Sequence, residues 1–198
     1  MVYLGTEMFF IEMQRKNKRR IMNDFQKKTL KVLVAWGIFC LIISILFNTV
    51  WMLSLIPSES MENTIRKGDF VFGSRLETGA QDIKRYDILI FIPPDDPDTT
   101  YIKRVIGLPG ETIDVFDGEV YADDVKLDSS FIKEPQDDSG DGSYIVPQGH
   151  YFFLGDNRNI SFDSRFWDEP YIPLKNIKAK AKYIVFPFNH AGSLDYSK

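Results

Sequence analysis

The sequence is poor in the two residue types that most often mark a reactive or cross-linked site. It has one cysteine, Cys40, so no disulfide can form within the chain and cysteine usage does not identify the redox compartment. Cys40 lies inside an apolar run, where packing is a better interpretation than nucleophilic chemistry. The two histidines, His150 and His190, belong to no recognisable triad element, which argues against a Ser/His/Asp mechanism.

Positive charge is scarce outside the amino-terminal segment. Residues 1–31 carry eight Lys and Arg against three Asp and Glu, a net charge of +5, whereas the remaining 167 residues have a net charge of −9. A domain that binds nucleic acid needs a basic face. The main part of the chain is therefore not expected to bind nucleic acid.

Long apolar stretches are also rare, and only one is present. From Val32 to Ile56, 25 consecutive positions carry no charge. As a helix this run would extend about 37 Å, enough to cross the ~30 Å hydrocarbon core of a bilayer when tilted. A cleaved signal sequence is the alternative, but its apolar region would run only about 7–15 residues and end in small residues. A buried core helix is the other alternative. From the length of the uncharged run we predict a transmembrane helix over residues 32–56.

The basic residues before this run predict how the chain is oriented. By the positive-inside rule they keep the amino terminus in the cytoplasm. The expected segments are a cytoplasmic basic tail (1–31), a transmembrane helix (32–56) and an extracytoplasmic domain (57–198). The basic residues are Arg15, Lys16, Lys18, Arg19, Arg20, Lys27, Lys28 and Lys31.

The segment after the anchor has the pattern of a β domain. Short β-branched and aromatic runs such as "FVFGSRL", "YDILIFI", "YIKRVIGL" and "AKAKYIVFPF" recur between turn signals. Asp117 and Gly118 lie between two alternating runs, a strong hairpin signal. The polar loops "IPPDDPDTT" and "IKEPQDDSGDGS" separate other runs.

With cysteine and histidine set aside, serine activated by lysine is the remaining nucleophilic chemistry. Lysine can accept a proton only when neutral, so its pKa must fall by several units through burial in an apolar setting. Lys103, in the strand pattern "YIKRVIGL", is a candidate. By itself, a lysine in a strand is more often a solvated edge residue.

Four stretches together resemble the motif boxes of bacterial type I signal peptidases, in order and in spacing. They are "IPSESMENTIRKGDFV" (56–71), "KRYDILIF" (84–91), "YIKRVIGLPGE" (101–111) and "GDNRNISFDSR" (155–165). These enzymes are Ser/Lys membrane proteases that remove signal peptides from exported preproteins, and a single anchor is similar to the Gram-positive form. The resemblance implies a mainly β fold, with one transmembrane helix followed by an all-β extracytoplasmic catalytic domain of the barrel or sandwich type.

The resemblance also implies roles for individual residues. Ser60 matches the nucleophile and Lys103 the general base, Ser58 the hydroxyl donor of the oxyanion hole, and Ser161 the serine that orients the lysine. Asp163 and Arg165 match an ion pair that supports the site, with Arg104 as a third member. The positions that match the walls of two pockets, for small side chains at −1 and −3 of the cleavage site, are Ile56, Pro57, Met61, Ile65, Val71, Tyr101 and Ile102.

No metal or organic cofactor is implied, and the expected partners are exported preproteins at the secretion translocon and membrane lipid. One position departs from the family pattern: Asn63 stands where proline is usual, three residues after Ser60. The alternative function is a non-catalytic signal-peptidase-like factor for pilus or surface-protein assembly, against which the presence of Ser60 and Lys103 counts. A self-cleaving regulator of the related Ser/Lys fold is disfavoured by the anchor and by the lack of a DNA-binding segment.

Overall fold

The computed structural model describes residues 3–137 and 139–196, with the side chains of residues 3–12 and 21 left aside. The chain divides into two units, residues 1–46 and 47–198. The first is a helix and the second is built from antiparallel β-strands, as the sequence pattern predicted. The mainly β fold class is therefore confirmed.

A long helix, α1 (Tyr3–Thr49), contains residues 32–49 of the predicted membrane segment. Among the described residues it is one helix that is long and apolar enough to cross a bilayer. Large side chains such as Leu33, Trp36 and Phe39 are exposed along it. Residues 32–49 of the helix extend about 27 Å at 1.5 Å per residue, close to the ~30 Å hydrocarbon thickness.

The predicted carboxyl end of this helix is corrected by the structure. We expected helix to Ile56, but α1 ends at Thr49 and strand β1 (Trp51–Leu55) follows. All five residues of β1 pair with the next strand, and Met52 packs against a core cluster of the β unit. An apolar run does not by itself distinguish a strand from a helix, so the boundary could not be predicted from the apolar pattern.

In the described residues the β unit has twelve strands, which form two sheets. Eight form one antiparallel sheet in the order β1-β2-β11-β3-β4-β9-β10, with β12 paired to β11, and four form a second in the order β7-β6-β5-β8. A short 3₁₀ helix (Leu174–Asn176) precedes β11. The bounds of the strands after β1 are β2 (Phe70–Ser74), β3 (Ile88–Phe91), β4 (Tyr101–Gly107), β5 (Thr112–Phe116), β6 (Glu119–Ala122), β7 (Val125–Lys126), β8 (Gly142–Ile145), β9 (His150–Leu154), β10 (Ile172–Pro173), β11 (Ile177–Phe186) and β12 (Gly192–Ser193).

The predicted hairpin is present between β5 and β6. Val115 pairs with Val120 and Phe116 with Glu119, so Asp117 and Gly118 form the two-residue turn. Both turn residues have positive φ, 51° and 75°, as the hairpin turn with the right twist requires.

Strand β3 lies between β11 and β4 and is buried along its whole length. Its side chains alternate between two core clusters, with Ile88 and Ile90 in one and Leu89 and Phe91 in the other. This alternation is the period of two expected for a strand covered on both faces. The strand next to it, β4, is therefore held in a fixed register, and β4 carries Lys103.

Candidate active site

Ser60 lies in the loop that connects β1 to β2. The loop is closed at its base by two backbone hydrogen bonds, from Ile56 N–H to Asp69 O (2.9 Å) and from Gly68 N–H to Ile56 O (2.8 Å). Gly68 has a φ of +91°, which a residue with a side chain rarely adopts. The Ser60 side chain is only 7% exposed, so the loop turns back onto the β unit at this point.

Lys103 meets Ser60 from strand β4. Its Nζ donates a hydrogen bond of 2.6 Å to Ser60 Oγ, and the lysine is 5% exposed. Burial lowers the pKa of Lys103 from 10.5 to about 8, against the opposing charges of Asp163 and then Asp156. A lysine with such a pKa is neutral in a useful fraction of molecules near neutral pH, which a general base requires.

Ser58 lies beside the same hydroxyl. Its Oγ is 3.3 Å from Ser60 Oγ, although the Ser58 residue itself is exposed. The predicted oxyanion donor is therefore next to the predicted nucleophile, at the edge of the site that faces solvent.

Ser161 is at the site, but without its predicted contact. The residue is 3% exposed, and its Oγ has no hydrogen-bond partner among the described residues. A Cβ added at Gly155 would lie 2.2 Å from this Oγ and 2.4 Å from the carbonyl oxygen of Ser60. Only glycine therefore allows the Ser161 loop to approach Ser60 so closely.

The predicted ion pair between Asp163 and Arg165 is formed, and it is fully buried. Arg165 Nε donates to Asp163 Oδ1 at 2.8 Å and Arg165 Nη2 to Asp163 Oδ2 at 2.9 Å. Asp163 Oδ2 also accepts the Gly155 N–H at 3.0 Å. The pair therefore holds the two ends of the 155–165 loop together.

The structure corrects the placement of Arg104, which pairs with a different carboxylate. Its Nε and Nη2 donate to the two oxygens of Asp156 at 2.8 and 2.5 Å, and both side chains are almost completely buried. Thr64 Oγ1 donates to the same carboxylate at 2.5 Å. Lys103 and Arg104 point to opposite faces of β4, so Arg104 reaches a partner on the other side of the strand.

Sequence reasoning gave no role to Gly155, Asp156 and Asn157, although all three lie in a motif that it singled out. Asn157 N–H donates to Ser60 O at 3.0 Å, and Asn157 Nδ2 to Glu59 O at 3.1 Å. These bonds join the Ser60 loop to the 155–165 loop. The signal that could have found them is the density of polar residues in "GDNR" directly after the apolar strand β9.

A pocket of about 470 Å³ opens at Ser60 and Lys103. Three of the seven predicted pocket residues line it, Pro57, Tyr101 and Ile102. The other four are in the buried core cluster behind the site, because their side chains pack with strands β3 and β11: Ile56, Met61, Ile65 and Val71. Lining residues that were not predicted are Glu59, Lys67, Thr99, Thr100, Ile160 and Phe162.

Neither histidine lines this pocket. His150 Nδ1 contacts Gln148 O at 3.0 Å, and His190 Nδ1 contacts Asp69 Oδ2 at 2.8 Å. Within the described part of the chain, no group of three or more His, Cys, Asp or Glu side chains is arranged to hold a metal ion. The serines and lysines that line the pocket are Ser58, Ser60, Lys67 and Lys103.

Comparison with known proteins places the chain in a family. The model of the family described as signal peptidase, peptidase S26, matches residues 29–186. Signal peptidase I of Leptolyngbya laminosa is 38% identical over 146 residues, 70% of this chain and 70% of that protein. Probable signal peptidase I-1 of Synechocystis is 36% identical, over 70% of this chain and 73% of that protein.

A crystal structure of a signal peptidase I from Enterococcus faecalis aligns with 50% of this chain and 95% of that chain, with a TM-score of 0.44 and 29% identity. The family match covers all four motif boxes and both residues of the Ser60–Lys103 contact. The chain therefore belongs to the signal peptidase family, peptidase S26.

Proposed function

We propose that Ser60 and Lys103 are the catalytic pair with which this signal peptidase cleaves exported preproteins. The observation that carries the proposal is the 2.6 Å contact between Lys103 Nζ and Ser60 Oγ in a buried setting. As a member of its family the protein is a serine endopeptidase that removes signal peptides. The proposal assigns Ser60 and Lys103 as the side chains that perform this reaction.

In the first half of the reaction, neutral Lys103 takes the proton of Ser60 Oγ as the serine attacks the carbonyl carbon of the scissile bond. The tetrahedral intermediate collapses, and Lys103 gives the proton to the leaving amine of the mature protein. In the second half, water attacks the acyl-enzyme with Lys103 again as base. A pKa of about 8 for Lys103 suits both proton transfers, because the amine must accept a proton and return it near neutral pH.

Ser58 is the proposed side-chain donor to the oxyanion. Its hydroxyl is 3.3 Å from Ser60 Oγ, so the carbonyl oxygen of a bound substrate could lie between Ser58 Oγ and the Ser60 N–H. Donors of this kind stabilise the transition state by about 3 kcal/mol in other serine proteases.

The 155–165 loop is proposed to position the pair. Asn157 binds the backbone of the Ser60 loop, and the Asp163–Arg165 pair fixes the loop that carries Ser161. Ser161 Oγ is buried and has no partner among the described residues, and we assign it to orienting Lys103. Positioning residues of this type act by holding the reacting groups in a narrow range of geometry.

The helix is consistent with a location at a membrane, and we propose the orientation from the charges that precede its apolar part. The basic residues of segment 1–31 would keep that end in the cytoplasm and the β unit outside. Leu55, Phe70 and Phe186 are aligned across strands β1, β2 and β11, and Leu55 and Phe186 are about half exposed. This apolar row gives the β unit a surface suited to contact with lipid. Such contact would keep the site at the membrane, where signal peptides leave the translocon.

The test of the proposal is cleavage of a preprotein with small residues at −1 and −3, by the full chain in detergent micelles, with products identified by mass spectrometry. We expect wild type to cut after the −1 residue, and Ser60→Ala and Lys103→Met to lose at least ~10³-fold in rate. The control variants Ser143→Ala and Lys178→Met change residues of the same types on other strands, outside the pocket, and should cut normally.

Cleavage that survives in either dyad variant would contradict the assignment of that residue. A folded wild type that cuts no preprotein would contradict the function itself, and would favour the alternative of a non-catalytic assembly factor.

A further inference from the structure

Two large apolar side chains are exposed at the mouth of the catalytic pocket. Ile160 is 58% exposed and Phe162 is 59% exposed, and both line the pocket that holds Ser60 and Lys103. Burying such side chains against a ligand is favourable because apolar surface leaves water. Nothing in the reaction described above uses them.

The turn before Phe162 is hydrogen-bonded to the backbone of Ser60. The N–H groups of Ile160 and Ser161 donate to Asn157 O at 3.3 and 3.0 Å, and Asn157 N–H donates to Ser60 O at 3.0 Å. The turn that carries the two apolar residues is therefore tied to the backbone of the nucleophile.

The Phe162 ring is also supported from behind. It stacks on Phe166 with a centroid distance of 6.5 Å and an interplanar angle of 13°, and the Arg165 guanidinium lies 5.0 Å from the Phe166 ring. Arg165 is in turn held by buried Asp163. An aromatic side chain that is held in one orientation loses little entropy when it binds a ligand, so this ring is preorganised for contact.

The position of Ile160 and Phe162 at the pocket mouth indicates which residue of the substrate they contact. Lys103 must return its proton to the leaving amine, so the first residue of the mature protein lies on the lysine side of Ser60 Oγ. The 155–165 loop borders the same pocket as Lys103 through Ile160 and Phe162, so a leaving group held at Lys103 lies near these two side chains. Pro57 and Ile102 line the same pocket, and we assign them to the −1 and −3 side chains.

We propose that Ile160 and Phe162 form a subsite for the first residue of the mature protein, and that it favours an aliphatic or aromatic side chain there. The proposal rests on the proposed function, because it assigns a substrate residue to the same site. Contact with one apolar side chain changes kcat/KM by about 10-fold or more in other enzymes.

The experiment uses four preproteins that differ only in the first mature residue, which is Ala, Leu, Phe or Asp. For the full chain in detergent micelles, we expect kcat/KM for Leu and Phe to exceed that for Ala by about 10-fold, with Asp the poorest. Phe162→Ala and Ile160→Ala should reduce this preference, so that kcat/KM for Leu and Phe falls toward that for Ala.

Two further variants separate a subsite from a general structural effect. Phe162→Lys should reverse the order so that Asp becomes better than Leu, because a cation then faces the substrate side chain. Phe116→Ala removes an equally exposed phenylalanine (69%) from strand β5, outside the pocket, and should keep the wild-type preference.

Cleavage of all four substrates at equal rates by wild type would overturn the subsite and leave the proposed function standing. A preference that persists in both Phe162→Ala and Phe162→Lys would also overturn it. If wild type cleaved none of the four, the proposed function would fail and the subsite with it.

Discussion

Asp156 is a residue of the site to which sequence reasoning assigned no role. It is completely buried and accepts hydrogen bonds from Arg104 and Thr64, which come from β4 and from the loop that carries Ser60. Removing one partner of a buried ion pair leaves an uncompensated charge, which costs about 3–5 kcal/mol. An ion pair that is exposed contributes only about 0–1 kcal/mol.

We therefore expect Asp156→Asn to lower the free energy of unfolding by about 3–5 kcal/mol, measured by denaturant titration of the full chain in detergent. The matched control is Glu62→Gln, which removes the carboxylate of the exposed Lys133–Glu62 pair (2.8 Å) and should cost no more than about 1 kcal/mol. Equal losses for the two variants would show that the Arg104–Asp156 pair does not stabilise the site.

Residue-level chemistry was the part least accessible from sequence. Ser60 and Lys103 are 43 positions apart, and Arg104 and Asp156 are 52 positions apart. No local pattern brings such residues together, so the dyad was predicted only through the family resemblance, and Asp156 was not predicted as the partner of Arg104. Four pocket positions were likewise predicted from the resemblance and lie in the core, because apolar residues near a site can serve either place.

At the scale of elements, local signals predicted much more. Strands β2, β3, β4 and β11 and the β5–β6 hairpin follow from alternating or continuous apolar runs between turn residues, and each is present. The end of α1 does not follow from any such signal, because the apolar run continues through Thr49 into β1 without a glycine, proline or charge. The boundary is set by pairing of β1 with β2, a tertiary interaction.

The close approach of the 155–165 loop to the Ser60 loop can be tested by a substitution at Gly155. Gly155→Ala would place a Cβ 2.4 Å from Ser60 O, so one of the two loops must move. We expect cleavage of the preprotein to fall by at least ~10²-fold, because a displacement of about 1 Å in a catalytic group has that effect. Gly192→Ala on β12 is the control, since a Cβ there meets nothing within 4 Å, and a normal rate for both variants would contradict the proposed role of the close approach.

For the whole molecule, the charge distribution makes a prediction about topology. The net charge of +5 before the apolar run predicts that the β unit lies outside the cytoplasm. In right-side-out membrane vesicles, added protease should digest a tag placed after residue 198, and in inside-out vesicles the tag should be protected. The reverse pattern would contradict the orientation and would leave the site on the wrong side of the membrane for signal peptides.

The role of neutral Lys103 as the base for Ser60 can be tested by the pH dependence of kcat/KM. Burial lowers the pKa of Lys103 to about 8, so protonation below that pH removes the base while higher pH restores it. We predict that kcat/KM of the full chain rises between pH 6 and pH 9 with an apparent pKa near 8, and that Lys178→Met shows the same profile. A rate that is constant over this range, or that increases as the pH falls, would contradict the assignment of Lys103 as the general base.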